Sequence, residues 1–392
     1  MTERTRSGQP SRDRRSRRRW FTIFLVLGLL IVIPEIGLRL VTLFAPPSAE
    51  LQAFREIGDA YPALDELVHD RNALRFDYHD YYLYAPRETT SGTISISGYF
   101  GARNTPSSAE GHDVQEVIWA FGGSTLQNLE AVDELTLANQ VVRELNARGV
   151  PSRLHNFAVR GFQTSLELTR FQDLLGRVPE SERPTTVIFY HGFQDARDGY
   201  VFGAGRLPSD VSSQLRDMIE RDLARLLVHS GSQWLSRYSI LWRRLAGQRI
   251  QRLLHPDVRP DNSDRNLAAT VETYVVNVRA ARGICEAFGI RCLFLLQPLL
   301  VTRSPISSFE EQVLARMDPV AVQFTRDFYA RVTASLSGAP DFHDLSGFYD
   351  ASEEAVFFDS AHTSPTAGVP IGEEIAKRIL DARTAGRPPS QR

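Results

Sequence analysis

The chain has 392 residues, of which 42% are hydrophobic and 23% charged, and this composition is typical of a globular protein with a substantial core. Its length predicts one large domain with an appendage, or two domains. The formal net charge of −2 gives no general reason to expect a nucleic acid or an acidic partner. No Cys/His spacing resembles a metal site, so we expect no nucleic-acid partner, no metal and no cofactor.

The N-terminus is strongly basic and is followed by an apolar segment. Arginines crowd residues 1–19, and residues 20–44 are mainly apolar, close to the ~20 residues that a membrane-spanning helix needs. Because basic residues stay in the cytoplasm, we predict a cytoplasmic tail at 1–19, a single-pass transmembrane anchor at 20–44 and a periplasmic or extracellular remainder. Glu35 and Arg39 interrupt the apolar segment and could pair on one helix face. A cleaved signal peptide and a buried core helix are the alternative interpretations, although no clear small-residue cleavage site follows.

Residues 45–112 form a mixed segment before the first regular pattern. The run from Tyr78 to Tyr84 is rich in aromatic residues, and residues 93–97 alternate with a period of two, which predicts a strand. We interpret 45–112 as a small N-terminal cap region packed on the main domain.

From residue 116 the pattern alternates between strand and helix. Predicted strands lie at 117–121, 152–157, 186–190, 291–296 and 342–345, and predicted helices at 126–147, 166–175, 267–288, 309–336 and 366–382. Such alternation predicts an α/β fold, here a three-layer α/β/α sandwich with a parallel sheet of about five strands. Ligands are then expected at the C-terminal ends of the strands.

The connection between the third and fourth predicted strands is too long for one crossover. Two runs at 211–228 and 234–254 predict an inserted helical hairpin within about 200–264. Its second helix carries a cluster of arginines, Arg237, Arg243, Arg244, Arg249 and Arg252. The cluster could contact anionic lipid or polymer, but we favour a solvated face, which is what most charge runs are.

Two further features concern the end of the chain. Cys285 and Cys292 could form a disulfide in an exported protein or remain two buried thiols. The tail at 385–392 is predicted to be disordered.

Two motifs at opposite ends of the alternating region carry groups suited to nucleophilic catalysis. Ser124 follows Gly122 and Gly123 directly after the first predicted strand. A serine hydroxyl needs a neighbouring base, and a helix N-terminus at this position favours developing negative charge. Asp359 and His362, three residues apart near the C-terminus, could supply an orienting carboxylate and a base. Each motif alone also fits an ordinary helix cap, with His362 a surface residue.

Two more motifs lie between these, and the order of all four resembles the SGNH, or GDSL-like, hydrolases, including membrane-anchored members. The second motif ends at Gly161 in residues 156–161, and the third is Gly192-Phe193-Gln194-Asp195. The resemblance covers residues 116–382 and implies a flavodoxin-like hydrolase domain at 113–384.

The resemblance implies a role for each matching residue. Ser124 would be the nucleophile, His362 the base and Asp359 the residue that orients it. The oxyanion hole would combine the N–H groups of Ser124 and Gly161 with the side-chain amide of Gln194. Position 194 departs from the family, which usually has Asn there, and this puts the rate in doubt more than the reaction class.

Four other residues are predicted to line the site, namely Gly123, Asp195, His191 and Gln297. Gln297 precedes Pro298, and this pair resembles a pattern in membrane-anchored members of the family. His191 comes directly before the third motif, and a hydrogen-bonded histidine within the sheet layer is an equal alternative.

The resemblance implies a serine esterase that hydrolyses an O-acyl ester, with O-acetyl expected, on an envelope glycan or a small molecule. Its other expected partner is the membrane, through the N-terminal helix. An O-acetyltransferase is one alternative, because it shares all chemistry up to the acyl-enzyme. A non-catalytic envelope protein that keeps the fold and binds polymer is the other, supported by the Gln194 departure and opposed by the presence of all three triad residues.

Overall fold

A computed structural model describes residues 11–43, 64–111, 113–205, 219–247, 249–250 and 260–385. Parts of several predicted segments lie outside the described residues: most of the basic tail, 45–63 of the cap region, 206–218 and 251–259 of the insertion with Arg252, and the tail from 386. The chain divides into two compact units, residues 1–47 with 212–258, and residues 48–211 with 259–392.

The helices and strands of the described residues are as follows. The helices are α1 (Ser11–Leu43), α2 (Leu64–Ala73), α3 (Ser124–Gln127), α4 (Leu137–Ala147), α5 (Thr164–Arg177), α6 (Phe193–Phe202), α7 (Leu223–Tyr238), α8 (Ile240–Trp242), α9 (Asp264–Phe288), α10 (Ser308–Ala315), α11 (Pro319–Leu336) and α12 (Gly368–Ala385). The strands are β1 (Phe76–His79), β2 (Leu83–Pro86), β3 (Thr89–Thr90), β4 (Ser95–Ile96), β5 (Glu116–Gly122), β6 (Ser152–Asn156), β7 (Thr186–His191), β8 (Arg291–Leu296) and β9 (Phe342–Asp344).

The larger unit is built on a five-stranded parallel sheet with the order β6-β5-β7-β8-β9. Gly122 pairs with Tyr190, and His191 with Leu296, so the carboxyl ends of β5, β7 and β8 lie side by side. This confirms the predicted parallel α/β fold. It also explains why the residues that follow these strands meet at one edge of the sheet.

Both faces of the sheet are covered, which is why its three central strands, β5, β7 and β8, are almost continuously apolar. Side chains alternate between the faces. Trp119 and Phe121 pack with residues of α5, α9 and α11 on one side, while Ile118 and Ala120 pack with residues of α4 and α12 on the other. The result is the predicted three-layer arrangement.

The N-terminal segment of this unit is held to the loop that follows α3 by a buried guanidinium. Arg103 is 2% exposed and donates to the carboxylate of Asp133 at 3.1 Å and to the carbonyl oxygens of Gln127 at 2.7 Å and Ala131 at 2.6 Å. An arginine buried in this way is tolerated because its donors are satisfied. Residues 64–111, predicted as a cap, thus share a unit and a hydrogen-bond network with the sheet.

Several predicted helices and one predicted strand are wrong in extent. The single helix expected at 126–147 is divided because Asn128 has a left-handed backbone (φ 56°) that ends α3, and α4 begins only at Leu137, capped by Thr136. The helix expected at 309–336 is two helices, because Asp318 caps a new helix that starts at Pro319. The strand expected at 93–97 is reduced to β4.

The smaller unit contains α1, α7, α8 and a π-helical turn at Arg243–Gly247. Both predicted helices of the insertion, 211–228 and 234–254, are wrong in extent, because α7 runs without a break from Leu223 to Tyr238 and Ser239 then caps the separate helix α8. In α1, residues 19–41 form a span of mean hydropathy 2.5 that is long and apolar enough to cross a membrane, although a signal sequence passes the same test.

Candidate active site

Ser124 is the first residue of α3, directly beyond the carboxyl end of β5. The turn that places it needs glycine at 122, because a Cβ atom there would lie 2.5 Å from the carbonyl oxygen of Tyr190 on β7. At the start of a helix the first backbone N–H groups have no helical partner. Ser124 therefore presents both a hydroxyl and a backbone donor at the edge of the sheet.

Asp359 and His362 lie in a tight loop between β9 and α12. The Oδ1 atom of Asp359 accepts hydrogen bonds from the backbone N–H groups of Ala361 and His362, both at 2.8 Å. The Phe358 ring stacks on the imidazole, with centroids 5.8 Å apart and planes 13° apart. The loop thus fixes the orientation of both side chains before any contact with Ser124.

A continuous hydrogen-bond chain joins these three residues. The Nδ1 atom of His362 is 2.7 Å from Oδ2 of Asp359, and Nε2 of His362 is 2.8 Å from Oγ of Ser124. Burial by itself raises the pKa of Asp359, but the charge of His362 and the hydrogen bonds from His362 and Ala361 outweigh it and hold the pKa below its usual value. An ionised Asp359 favours the tautomer of His362 in which Nε2 is unprotonated and can take a proton from the hydroxyl.

A narrow cavity lies beside Ser124. It is lined by Gly123, Ser124, Thr125, Phe162, Glu167, His191, Gly192, Phe193, Gln194 and Gln297. The structure therefore brings four of the sequence-predicted residues other than Ser124 to one place, namely Gly123, His191, Gln194 and Gln297. Gly161 and Asp195 are not among the residues that line this cavity.

Gly161 has the backbone conformation that only glycine adopts easily, with φ at +80°. A Cβ atom there would lie 2.8 Å from the hydroxyl oxygen of Tyr84, which donates to the carbonyl oxygen of Arg160 at 2.9 Å. Burial raises the pKa of Tyr84 to about 12, so its hydroxyl stays protonated. Tyr84, on β2, was not identified from the sequence, and the aromatic run that contains it was the only signal.

The amide of Gln194 is already engaged. Its Nε2 atom donates to Oδ1 of Asp198 at 2.7 Å, one helical turn along α6. An amide nitrogen carries two hydrogens, so a second N–H of Gln194 remains available. Burial raises the pKa of Asp198 to about 6, against the opposing hydrogen bond from Gln194. Near neutral pH Asp198 is therefore an ionised acceptor that holds the amide in place.

A buried imidazole and a buried carboxyl form one wall of the cavity. Nδ1 of His191 is 3.1 Å from Oε2 of Glu167, and the two residues are 3% and 1% exposed. Burial lowers the pKa of His191 to about 4 and raises the pKa of Glu167 well above its ordinary value. Burial thus favours the neutral form of each group, and in a neutral pair Glu167 donates to Nδ1 while Nε2 of His191 carries the ring proton.

Two nitrogen donors in this wall have no hydrogen-bond partner among the described residues. They are Nε2 of His191 and Nε2 of Gln297. The oxygen of the Gln297 amide accepts from the Thr125 hydroxyl at 3.1 Å, which fixes the amide with its nitrogen free. Buried donors of this kind need a polar partner, so the cavity is suited to a small group that carries an acceptor.

Glu167 was not identified from the sequence. It lies at the spacing i, i+4, i+7 with Phe171 and Leu174, which are buried on the same helix α5. A carboxyl group on the apolar face of an amphipathic helix is the signal that could have indicated it. Asp195, by contrast, accepts from the backbone N–H and the hydroxyl of Thr164 at 3.1 and 2.6 Å and holds the start of α5.

Comparisons with known proteins find resemblance among solved structures, where 63 chains match. No protein-family model matches the chain, and no curated protein matches it. The solved structures that resemble it include the psychrotrophic esterase EstA from Pseudoalteromonas sp., with 11% identity and a TM-score of 0.36 over 69% of this chain and 98% of that chain. A GDSL-like lipase from Bacteroides thetaiotaomicron has 10% identity and a TM-score of 0.35 over 70% of this chain and 91% of that chain.

A lipase/acylhydrolase from Enterococcus faecalis also resembles the chain, with 13% identity and a TM-score of 0.36 over 68% of this chain and 96% of that chain. The resembling structures are thus lipolytic hydrolases of the GDSL kind at low identity. At these identities and TM-scores, their activities are not transferred to this chain.

Proposed function

We propose that this protein is a membrane-anchored serine esterase that hydrolyses an O-acetyl ester through Ser124, His362 and Asp359. The observation that carries the proposal is the unbroken hydrogen-bond chain from Asp359 through His362 to the Ser124 hydroxyl. A hydroxyl, an imidazole and a carboxylate in this order are what nucleophilic acyl transfer requires.

The reaction proceeds in two halves. Oγ of Ser124 attacks the ester carbonyl carbon while Nε2 of His362 takes its proton, and Asp359 stabilises the imidazolium. The C–O bond to the alcohol then breaks, and the alcohol leaves with the proton held by His362. Water attacks the acetyl-enzyme with His362 again acting as base, so acetic acid is released and the Ser124 hydroxyl is restored.

The negative charge of each tetrahedral intermediate needs donors aimed at its oxygen. We assign this role to the N–H groups of Ser124 and Gly161 and to the second N–H of Gln194. The hydrogen bond from Gln194 to Asp198 supports the assignment, because it holds the amide before the substrate arrives. The Gln194 side chain, although longer than Asn, then needs no rearrangement as the tetrahedral intermediate forms.

The cavity beside Ser124 favours a short acyl group. Its wall includes the unpartnered donors of His191 and Gln297. A long aliphatic chain in this cavity would leave both donors buried against hydrocarbon, at a cost of roughly 1–3 kcal/mol each. An acetyl group leaves space for an ordered water or for a polar group of the substrate to satisfy them.

We place the active site outside the cytoplasm, where O-acetylated envelope glycans would be its substrates. The span at residues 19–41 follows an arginine-rich N-terminus, and such residues stay on the cytoplasmic side. The disulfide between Cys285 and Cys292 fits an oxidising compartment. A C-terminal reporter that is active only in the cytoplasm would contradict this topology.

The test of the activity uses the full-length protein in detergent with 4-nitrophenyl esters of acetate, butyrate and octanoate. We expect the acetate to be cleaved best and Ser124→Ala to abolish cleavage without loss of folded structure. Ser335→Ala, on the exposed surface of α11, is the matched control and should be fully active. Unchanged hydrolysis by a folded Ser124→Ala protein would refute the mechanism, and transfer of acetate to an added oligosaccharide would instead indicate a transferase.

A further inference from the structure

Helix α7, in the smaller unit, carries an exposed apolar stripe. Leu223, Leu227, Trp234 and Tyr238 are 68%, 73%, 62% and 55% exposed. At 3.6 residues per turn these positions fall within about 60° of one another around the helix axis. Its buried residues, His229 and Ser232, lie on the opposite side. The helix therefore presents its most apolar side outward.

The end of this helix is joined to α1 by a carboxylate. Glu35 accepts hydrogen bonds from the Ser239 hydroxyl at 2.8 Å and from the backbone N–H groups of Ile240 and Leu241 at 3.1 and 3.0 Å. These N–H groups begin α8 and have no helical partner there. Glu35 thus satisfies the start of α8, and we call this contact the Glu35 clasp.

Arg39 strengthens the clasp from one turn further along α1. Its guanidinium donates to Glu35 at 2.9 Å and to the carbonyl oxygen of Tyr238 at 2.6 Å. The last residue of α7 and the first residues of α8 are therefore both hydrogen-bonded to α1. The clasp thus joins α1 to the end of the helix that carries the apolar stripe and to the start of the helix that follows it.

The position of Glu35 in the apolar span fixes the level of the clasp. The span ends at Val41, so Glu35 lies about 9 Å before its outer end at 1.5 Å per residue. A charged side chain at such a depth is costly unless protein groups pair with it. The groups that pair with Glu35 must then lie at the same depth, about 9 Å inside the outer end of the span.

We propose that residues 223–242 lie in the outer interface of the bilayer, with the α7 stripe among the lipid acyl chains and the Glu35 clasp at its end. This rests on the membrane anchor of the proposed function. Lipid is the occupant we infer, because Trp and Tyr favour this boundary and an amphipathic helix with a basic polar side binds there. The exposed Arg237, Arg243 and Arg244 then face lipid phosphates rather than open solvent.

The test uses full-length protein in vesicles of phosphatidylcholine and phosphatidylglycerol. A fluorophore sensitive to polarity is attached to one introduced cysteine, since the two native cysteines are joined to each other. Leu227→Cys probes the stripe, and Arg225→Cys, on the opposite side of α7, is the matched control. Leu30→Cys, 64% exposed, probes the anchor itself.

We expect lipids that carry a nitroxide on the acyl chain to quench the Leu227 and Leu30 labels, and aqueous iodide to quench only the Arg225 label. Adding Glu35→Ala should abolish acyl-chain quenching at Leu227 and leave it unchanged at Leu30. If the lipid nitroxide does not quench the Leu30 label, α1 is not in the bilayer and the membrane anchor of the proposed function is refuted.

Three results would overturn this inference alone while Leu30 is quenched. The first is a Leu227 label open to iodide, which places the stripe in water. The second is a Leu227 label shielded from both quenchers, which means that protein covers the stripe. The third is acyl-chain quenching at Leu227 that persists in the Glu35→Ala variant, which means that the Glu35 clasp does not hold the stripe in the bilayer.

Discussion

Replacing Asp195 by Asn removes a charge that is buried behind the candidate active site. The Asp195 carboxyl is 6% exposed, and its Oδ2 atom has no hydrogen-bond partner among the described residues. Burial, with a further contribution from the nearby Glu167, raises the pKa of Asp195 to about 7. Asn keeps the acceptor oxygen for Thr164 and cannot ionise, so the substitution isolates the cost of ionisation.

The size and sign of the effect follow from the pKa. The folded protein holds the Asp195 proton more tightly than the unfolded chain does, for which the ordinary pKa is 3.8. Its contribution to stability is therefore complete below about pH 4 and is lost as the pH rises through about 7. A difference of about three pH units corresponds to ~4 kcal/mol as an upper limit. We therefore compare the unfolding free energy of Asp195→Asn with that of the parent at each pH. The difference should shift in favour of Asp195→Asn by ~2–4 kcal/mol as the pH rises from about 4 to about 8.

The measurement is urea unfolding of the full-length protein in detergent at a series of pH values. Tryptophan fluorescence reports the core through Trp119, which is 0% exposed. Asp381→Asn, at an exposed position on α12, is the control and should follow the parent at every pH. If the difference between Asp195→Asn and the parent is the same at all pH values, the reasoning is refuted.

Three further outcomes are expected. Asp359→Asn should lower turnover by ~10⁴ with little change in KM, because an amide favours the wrong imidazole tautomer. Steady-state kinetics measures this, and a turnover close to that of the parent would contradict it. Gln194→Leu should lower turnover by roughly 10²-fold and Gln194→Asn should retain activity, whereas full activity in Gln194→Leu would mean that the backbone donors suffice. Gly192→Ala should lower stability by about 2 kcal/mol or more in thermal unfolding, since φ is +120° and the new Cβ would lie 2.6 Å from Leu296; Gly176→Ala, with open space around it, should not be destabilising.

The sheet could be predicted from the sequence because its three central strands, β5, β7 and β8, are short apolar runs that stand apart from their surroundings. All five predicted strands are present, and their carboxyl ends meet where parallel pairing requires. Ser124, Asp359 and His362 were singled out by residue type and order, and the structure joins them by hydrogen bonds. Strand ends and short motifs are local features, which is why a single sequence reveals them.

The remaining features depend on contacts between distant parts of the chain. Arg103 and Glu167 are buried because groups far away in the sequence satisfy or enclose them, and no local pattern indicates which charged residues find such partners. The break after α3 depends on one residue, Asn128, whose left-handed backbone is compatible with helical sequence on both sides. The Glu35 clasp likewise joins residues about 200 positions apart.

The hydrogen bond between Ser124 and His362 spans 238 residues of sequence. During translation residue 124 leaves the ribosome long before residue 362, so the nascent chain carries the hydroxyl without its base. Closing a contact of such long range costs chain entropy, so we expect it to form after the sheet that supports it. A product shortened before Asp359 by a premature stop or by proteolysis would keep Ser124 and could not activate it. The contact between the hydroxyl and its base would then form only in a chain that extends through His362.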